Sequence, residues 1–354
     1  MQKNKKIGCI SLLLLTPLTM AMQPMDDQSL SSTVGQDGLD ISMQANIGFQ
    51  QIAVVDTDGL SYGQTLASGN PNRYDAPDYN EKAGLVIAGV AGQTKPVSAP
   101  AIMISGLDNS NTPNTPNTLT VNASIDTDAG SGVNGAFTNI AVTFANAGIR
   151  ISPFSIYAAP KSSLSSLVGA NYTRNSIFTT DTFFKPAANV REILRVKDNI
   201  DILFNANKPK LNIQLGSAPQ GKMVMFSGAI DSICGSGNGC NMMLVSDYLT
   251  SGDVLTSPVG VGFDFQFTGH NGSPFSLDGF YAGVEGKSSL DNGGFVFGNA
   301  GESSKFDLKL NNVTLGNTGS SAIETFNSLP NASIGNIGAI GASVTNLKVK
   351  VSGM

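Results

Sequence analysis

Two cysteines in the second half of the chain have the spacing of a disulfide bond. Cys234 and Cys240 flank the segment Gly-Ser-Gly-Asn-Gly, whose glycines allow the backbone to bring its ends together. The spacing differs from the CxxC of thiol–disulfide enzymes. We predict a structural disulfide between Cys234 and Cys240 that staples an exposed hairpin, and a redox or metal-binding role is the alternative.

His270 is the only histidine in the chain, so it is the first candidate for acid–base chemistry. The segment from Thr268 to Ser273 reads Thr-Gly-His-Asn-Gly-Ser, which is typical of a hairpin loop. A metal site would have to combine this histidine with two cysteines that are expected to be oxidised. The sequence therefore predicts no catalytic residue, no metal site, no cofactor and no enzymatic activity.

Two acidic segments, Asp56-Thr57-Asp58-Gly59 and Asp126-Thr127-Asp128, resemble the start of a calcium-binding loop. A hard cation needs six or more oxygen ligands, and neither segment has the further ligands of an EF-hand. We therefore predict turns in which the Asp side chains bond to nearby backbone. Calcium binding with ligands from another loop stays an open alternative.

The elements that would position such groups are predicted to be strands. From Leu39 onward apolar and polar residues alternate, which places alternate side chains on opposite faces of a half-buried strand. The apolar positions of this pattern are Leu39, Ile41, Met43, Ala45, Ile47 and Phe49. A change of phase at Gln51 indicates a bulge, after which Ile52–Val55 continue the same strand.

Short apolar runs between glycine- and asparagine-rich turns recur over the rest of the chain, and helix signals are few. A capping box at Ser321–Glu324, followed by Phe326 and Leu329, predicts one short helix. Asn189–Val196 is a second helix candidate. The predicted fold class is mainly β: an antiparallel β-sheet sandwich or an elongated β-roll with one or two short helices.

The first 21 residues have the pattern of a secretory signal peptide. Lysines at positions 3, 5 and 6 precede an apolar core at Ile7–Leu15, and Thr19-Met20-Ala21 offers a cleavage site. The apolar stretch is shorter than the about 20 residues that a membrane-spanning helix needs. We therefore expect export, with no membrane span after removal of the signal.

The remaining chain divides at a low-complexity segment, residues 109–118, which reads NSNTPNTPNT and is typical of an exposed loop or hinge. The predicted organisation is a signal peptide at 1–21, an N-terminal β region at 22–108 and a main β region at 119–354. The two β regions are also compatible with one continuous domain.

The overall composition limits the partners. The formal net charge is −5, and charged residues make up only 13% of the chain. Nucleic-acid binders need clustered cations to displace counterions, and this sequence has no polybasic run. With 41% hydrophobic residues the chain can still bury a core. We therefore expect protein partners in the cell envelope and no nucleic acid.

The segment after the signal peptide resembles a family of exported bacterial proteins. Residues 22–59 combine an acidic MDD–LS lead, a GQDG turn, the alternating strand and a DTDG turn. This combination is similar to the start of FilA-type pilus-assembly proteins of gammaproteobacteria, and residues 211–230 and Val344–Val351 are also similar. The resemblance implies an exported protein of a filament or surface-assembly system, without any known catalytic residue.

The function expected from these observations is a structural or assembly role in the periplasm, at the outer membrane or on the cell surface. An accessory component of a pilus or filament system fits best, because the chain exceeds the usual size of a single pilin domain. The alternative is a binding module for an apolar ligand. Partners would be other envelope or pilus-system proteins.

The candidate for assembly is the alternating N-terminal strand. Such a strand near a free N-terminus can add to the sheet edge of a neighbour, with backbone hydrogen bonds for affinity and alternate side chains for register. Pairing within its own domain is the alternative. The candidate assembly residues are Leu39, Ile41, Met43, Ile47 and Phe49.

The signal peptide yields a first testable prediction. We expect the exported protein to begin at Met22, because Thr19-Met20-Ala21 places small residues at the −3 and −1 positions of the cleavage site. Intact-mass measurement of the exported protein checks this. A mass that includes the first 21 residues would contradict both the cleavage site and the expected export.

Overall fold

The structure is a computed structural model that describes residues 38–56, 82–95, 100–108, 115–131, 135–168, 176–187, 189–251, 254–286, 293–316, 325–326, 329–330 and 332–352. Within these residues the chain is mainly antiparallel β, which confirms the predicted fold class. Two large sheets form a sandwich, and the larger sheet curls until it is nearly closed.

The elements follow in chain order. The part before residue 170 contains β1 (Leu39–Ala45), β2 (Ile47–Phe49), β3 (Gln51–Asp56), β4 (Ala83–Ala88), β5 (Ile102–Asp108), β6 (Thr115–Asn117), β7 (Leu119–Asp128), β8 (Phe137–Phe144), β9 (Gly148–Ile151), β10 (Phe154–Pro160) and helix α1 (Lys161–Val168). The remainder contains β11 (Arg191–Val196), β12 (Ile200–Phe204), β13 (Lys210–Gly216), β14 (Val224–Ser227), β15 (Ala229–Ile233), β16 (Cys240–Ser251), β17 (Val254–Gly269), a 3₁₀ turn (His270–Gly272), β18 (Phe275–Ser276), β19 (Phe280–Glu285), β20 (Gly294–Asn299), β21 (Phe306–Gly316), β22 (Thr325–Phe326), β23 (Leu329–Pro330), β24 (Ala332–Ala342) and β25 (Lys348–Val351).

The two sheets have different topologies. Sheet A has eight strands in the order β1-β7-β8-β13-β14-β19-β20-β25. Sheet B has fifteen strands, and its main path is β2-β5-β9-β12-β15-β17-β16-β11-β10-β4-β3. β6, β18, β21 and β24 are attached to this path at its side. β22 and β23 pair only with each other in the strand order.

Sheet B nearly closes at Gln50. β2 and β3 stand at opposite ends of its strand path, yet only Gln50 separates them in the chain. Neighbouring Cα atoms lie about 3.8 Å apart, so the two ends of the sheet must curve round until they meet. The prediction of one strand from Leu39 to Val55 is therefore wrong. The alternation of apolar and polar residues changes phase near Gln51 because the chain passes there from β2 to β3, the two end strands of sheet B, and not because of a bulge.

β17 is paired along both of its edges. β21 lies along one edge, from Gly260 to Gly269. The other edge pairs first with β16 and then with β15, because Cys240 lies opposite Phe265 and Ile233 lies opposite Phe267. β15 and β16 thus follow each other along the same edge of β17, and the loop 234–239 lies between them.

A disulfide closes that loop. Cys234 is bonded to Cys240, with the two Cα atoms 5.4 Å apart, which is the pairing that the sequence predicts. Gln266 is the residue of β17 that the loop skips, and its Nε2 donates to the Gly235 carbonyl at 3.0 Å. The predicted hairpin is wrong, because the strands on either side of the loop continue in the same direction.

Two hydrophobic clusters fill the interior. The aromatic cluster lies between the sheets, with Phe226, Phe280 and Phe297 from sheet A packed against residues of sheet B such as Phe267 and Phe306. The other cluster lies under α1 and the segment 176–190, and its members are Val86, Ala88, Tyr157, Ala159, Leu164, Ile177, Phe178, Phe184 and Val190. Burial of such side chains contributes roughly 1.5–3 kcal/mol each for the larger ones.

Glu192 is a charged residue inside sheet B. Its side chain is fully buried, and its carboxylate accepts from Arg195 Nη2 at 2.5 Å and from Arg195 Nε at 2.9 Å. The Ser155 hydroxyl of the neighbouring strand donates to the same carboxylate at 2.5 Å. A buried charge is tolerated when it is paired and hydrogen-bonded in this way.

The predicted helices are in the wrong places. Residues 191–196 of the candidate at Asn189–Val196 form β11, which is hydrogen-bonded between β10 and β16. Phe326 and Leu329 of the other candidate pair with each other in β22 and β23, and its capping box at Ser321–Glu324 lies outside the described residues. The observed helix is α1, where Leu164 is fully buried against the second cluster. Short apolar segments have no decisive period, so their neighbours in the fold decide their conformation.

Strands from both predicted β regions pair within the same sheets. β5 of the region 22–108 pairs with β9, and β4 pairs with β10. Residues 40–354 form one compact unit of the chain. In the part of the chain that the structure describes, no helix has the length and apolar character to cross a membrane.

The disulfide generates a prediction about stability. Replacing Cys234 and Cys240 together by serine should lower the free energy of unfolding by about 2 kcal/mol, because a short loop is then no longer closed in the unfolded chain. Urea unfolding of the oxidised protein and the variant measures the difference. Ser236→Ala, an exposed position in the same loop, is the control and should change nothing. Free thiols in freshly isolated protein would contradict the predicted bond.

Candidate functional site

β1 forms one edge of sheet A and is the first part of the predicted assembly strand. Its neighbour in the sheet is β7, and the Asp40 carboxylate accepts a hydrogen bond from the Ser124 hydroxyl of that strand. Leu39, Ile41 and Met43 therefore project to the opposite face, where they are 58%, 43% and 51% exposed. This edge combines an exposed apolar face with backbone groups available for pairing.

The second part of the predicted assembly strand lies elsewhere. Ile47 and Phe49 belong to β2 of sheet B, where they lie opposite Ile104 and Ile102 of β5. Ile47 is 36% exposed. A substitution at Ile47 therefore tests the end of sheet B and not the β1 edge. The five predicted residues are not brought together on one strand.

The other edge of sheet A is chemically different. Lys348 and Lys350 alternate with Val349 and Val351 in β25. Lys348 Nζ lies 2.9 Å from the Glu285 carboxylate, and this contact is the main reason that the pKa of Glu285 lies below its ordinary value. Charged side chains on an edge strand oppose pairing with another chain. β25 thus carries two lysines, which lie 2.9 and 3.9 Å from the Glu285 carboxylate, whereas β1 carries one charged residue, Asp40.

The apolar face of sheet A continues beyond the cover of sheet B. Val284 lies opposite Phe295, and Phe295 lies opposite Val351, in one row across three strands. These side chains are 70%, 48% and 64% exposed. Ala282, in the preceding row, is buried. The margin of sheet A therefore presents an apolar row to solvent.

β24 carries a pattern that the sequence analysis missed. Residues 334–342 read IGNIGAIGA, a period of three rather than two. Gly335 and Gly341 have φ of 94° and 66°, and the pairing with β21 shifts register along the strand. Because each shift changes the face, the isoleucines all remain on the surface. Ile334, Ile337 and Ile340 are 54%, 51% and 62% exposed.

His270 lies in a loop that leaves sheet B between β17 and β18. Thr268 and Phe275 both pair with β15, opposite Ser232 and Ile230, so the line of strand resumes after the loop. The predicted hairpin at this position is therefore also wrong. His270 Nδ1 lies 2.8 Å from Asp307 Oδ1 on β21. The histidine fastens the loop to the neighbouring strand.

Asp307 is held in its ionised form. The Gly341 N–H donates to its Oδ1 at 2.8 Å, and this bond, followed by the one to His270, keeps the pKa of Asp307 below its ordinary value. Among the described residues, no group of three or more histidine, cysteine, aspartate or glutamate side chains could hold a metal ion. The Asp307 carboxylate thus connects β21 to β24 and to the turn that follows β17.

The second acidic segment forms the predicted bonds to nearby backbone, but the predicted turn is wrong, because Asp126, Thr127 and Asp128 are the last residues of β7 and pair with β8. The Asp126 carboxylate accepts from the Thr127 N–H at 2.7 Å, and the Asp128 carboxylate accepts from the Gly130 N–H at 2.6 Å. Both bonds are local to the end of β7. In the first segment, residues 57–59 lie outside the described part of the chain.

Ser61 lies in a Gly-Leu-Ser-Tyr-Gly segment that matches the GxSxG pattern of serine hydrolases. The pattern indicates a nucleophile only where a strand leads through a sharp turn into a helix. Residues 57–81 lie outside the described part of the chain. The match by itself assigns no role to Ser61.

Comparison with known proteins adds one similarity. Residues 1–92 match a family of unknown function (DUF6160), which corresponds to about a quarter of the chain. No curated protein and no solved structure matches the sequence. The match does not link the chain to FilA-type proteins, so that resemblance stays an expectation from the sequence.

The Asp307 contacts predict a pH dependence. A carboxyl group with a lowered folded-state pKa contributes stability above its unfolded pKa, about 3.9, and loses it as the pH falls through the folded value. Asp307→Asn should therefore destabilise the protein at pH 6, with a difference from wild type that shrinks below about pH 4. Urea unfolding at both pH values measures this. A difference that stays constant with pH would contradict the role of the charge, and Asp128→Asn at the exposed end of β7 is the control.

Proposed function

We propose that this protein is an exported, non-enzymatic component of the cell envelope or cell surface with a structural or assembly role. It joins a neighbouring protein through the β1 edge of sheet A. Export is supported by the signal-peptide pattern at residues 1–21. The disulfide is compatible with an oxidising compartment.

The observation that carries the proposal is the β1 edge, beyond which no described strand of sheet A lies. Soluble proteins usually guard an edge strand with charges, proline or a bulge, because its free N–H and C=O groups template pairing with another chain. β1 reads LDISMQA and contains neither proline nor glycine. Its single charge, Asp40, is hydrogen-bonded to Ser124. Addition of a partner strand would pair the free backbone groups and cover Ile41 and Met43.

The partner is a β-strand of another envelope protein. Strand addition obtains its affinity from main-chain hydrogen bonds and its specificity from alternate side chains, which matches an edge with three exposed apolar positions on one face. The contrast with the lysines of β25 supports use of one edge only, because a chain with two open edges would polymerise without control. An accessory position in a filament or surface assembly fits such a single attachment.

A non-enzymatic role is supported by the state of the reactive side chains. Cys234 and Cys240 are bonded to each other, and His270 is engaged by Asp307. The disulfide leaves neither thiol reduced, and within the described residues no third metal-ligating side chain stands beside the His270–Asp307 pair.

The second candidate function, a binding module for an apolar ligand, is favoured by the apolar margin of sheet A. A groove of about 580 Å³ is lined there by Leu215, Met223, Val284 and polar neighbours. Organic extraction of the protein isolated from its native host, followed by mass spectrometry, separates the two functions. A stoichiometric lipid favours the ligand carrier, and its absence together with a strand partner favours assembly.

The assembly proposal predicts the effect of a charge on β1. Met43→Lys should abolish partner attachment, because a lysine on an edge strand opposes strand addition. Stability should change little, since the Met43 side chain is half exposed. A photo-crosslinking amino acid at Gln44 in living cells of the native host measures attachment as a higher-mass adduct. Its partner is identified by mass spectrometry.

The control places the same charge on the edge of the other sheet. Val54→Lys, at a β3 position that is 72% exposed, should leave the Gln44 adduct unchanged. Thermal melting of both variants shows that they are folded, and protease treatment of intact cells reports surface exposure. An adduct that persists in Met43→Lys, or that is lost equally in both variants, would refute use of the β1 edge.

A further inference from the structure

A pocket opens on sheet B where β2, β5, β9 and β12 lie side by side. Its volume is about 440 Å³, within the range of about 300–1,000 Å³ typical of small-molecule sites. The lining residues come from distant parts of the chain and are almost all uncharged and polar. Those that bear on binding are Asn46, Met103, Ser105, Asn117, Arg150 and Asn199.

Two of the lining residues, Ser105 and Arg150, belong to a row of residues across three strands. Arg150 on β9 lies opposite Ser105 on β5 and opposite Asp201 on β12. Arg150 donates from Nε and Nη2 to the two carboxylate oxygens of Asp201 at 2.6 and 2.7 Å. These hydrogen bonds keep the pKa of Arg150 above its ordinary value. The pair is neutral as a whole, and it fixes the guanidinium plane at the pocket wall.

Unused hydrogen-bonding groups remain at this wall. A guanidinium has five N–H donors, and within the described residues Arg150 uses only the two that bind Asp201. Ser105 is 92% buried, and its hydroxyl has no hydrogen-bond partner in the part of the chain that the structure describes. An unpaired buried hydroxyl costs about 1–3 kcal/mol. Such a cost is typical of groups that await a ligand or water.

Amide side chains surround the entrance. Asn46 and Asn199 are exposed and line the pocket. Asn46 precedes β2 and Asn199 precedes β12, which are the two outer strands of this row of four. The side-chain Oδ1 of Asn117 accepts a hydrogen bond from the Thr118 N–H at 2.7 Å. The side-chain NH₂ group of Asn117 has no partner among the described residues. Met103, 37% exposed, adds one apolar surface between the polar groups. The pocket therefore offers donors, acceptors and apolar surface without a net charge.

We propose that this pocket binds a neutral carbohydrate, one or two sugar rings of a glycan. Each sugar hydroxyl both donates and accepts, which suits amides, a serine hydroxyl and the free N–H groups of an Arg–Asp pair. Met103 can pack against the C–H groups of a ring. An anion is disfavoured, because the Asp201 carboxylate already neutralises Arg150 and would repel a second negative charge.

This site goes beyond the assembly role, because a glycan contact would give an envelope protein a target as well as an attachment point. The pocket is on sheet B, and the β1 edge belongs to sheet A. The two functions can therefore fail independently in an experiment. Asn46, between β1 and β2, is the one lining residue next to the edge strand.

Saturation-transfer NMR with the full exported protein tests the proposal. The probes are glucose, galactose, mannose and N-acetylglucosamine, each at millimolar concentration, with acetate and inorganic phosphate as anionic competitors. We expect saturation transfer to at least one sugar and no displacement by either anion. Absence of transfer to all four sugars, or displacement by acetate or phosphate, would overturn the assignment.

Ser105→Ala is the decisive variant, because it removes a hydroxyl for which the described residues provide no partner. Sugar affinity should fall about fivefold with the loss of one hydrogen bond, while the melting temperature stays equal or rises. Asn199→Ala, at an exposed position, should weaken binding similarly. Ser246→Ala, an exposed serine of β16 outside the pocket, is the matched control. Unchanged sugar affinity in both Ser105→Ala and Asn199→Ala would refute the site.

Discussion

The pairing of β17 on both edges is the constraint on which the fold depends. Every N–H and C=O group of a strand inside a sheet needs a partner, because an unpaired buried group costs as much as a lost hydrogen bond. β21 supplies the partners on one side, and β15 and β16 together supply them on the other. Residues between these strands that cannot pair with a neighbouring strand form loops outside the sheet. The loops at 234–239 and 270–274 are of this kind, held by the disulfide and by the His270–Asp307 contact.

Curvature of sheet B decides which edges remain free. Because Gln50 joins β2 to β3, the two ends of the strand path of sheet B meet. The two end strands of sheet B therefore lie near each other and are less open to pairing with another chain. Sheet A has no such closure. Its two end strands both expose apolar side chains, and they differ in charge: β25 carries Lys348 and Lys350, whereas β1 carries only Asp40. The proposed attachment site follows from this asymmetry.

The scarcity of charge in the chain makes each buried charge informative. Glu192 is satisfied completely by Arg195 and Ser155, so it stabilises its strands and offers nothing to a ligand. Arg150 and Asp201 satisfy each other only in part, since donors of Arg150 remain beside the unpaired Ser105 hydroxyl. The same residue types thus form a closed network in one place and an open one in another. The difference is the presence of a pocket.

The sequence alone determined the fold class, the cysteine pairing and the bonds of Asp126 and Asp128 to nearby backbone, because alternation, loop spacing and side-chain reach are local properties. It did not determine which strands pair. The apolar alternation of residues 39–55 is the same whether the segment is one strand or three, and only the closure of sheet B at Gln50 divides it. Ser105, Arg150 and Asp201 are each separated by about fifty residues and meet only because β5, β9 and β12 are neighbours. Strand neighbours are chosen by long-range packing and backbone pairing, which leave no local pattern in the chain.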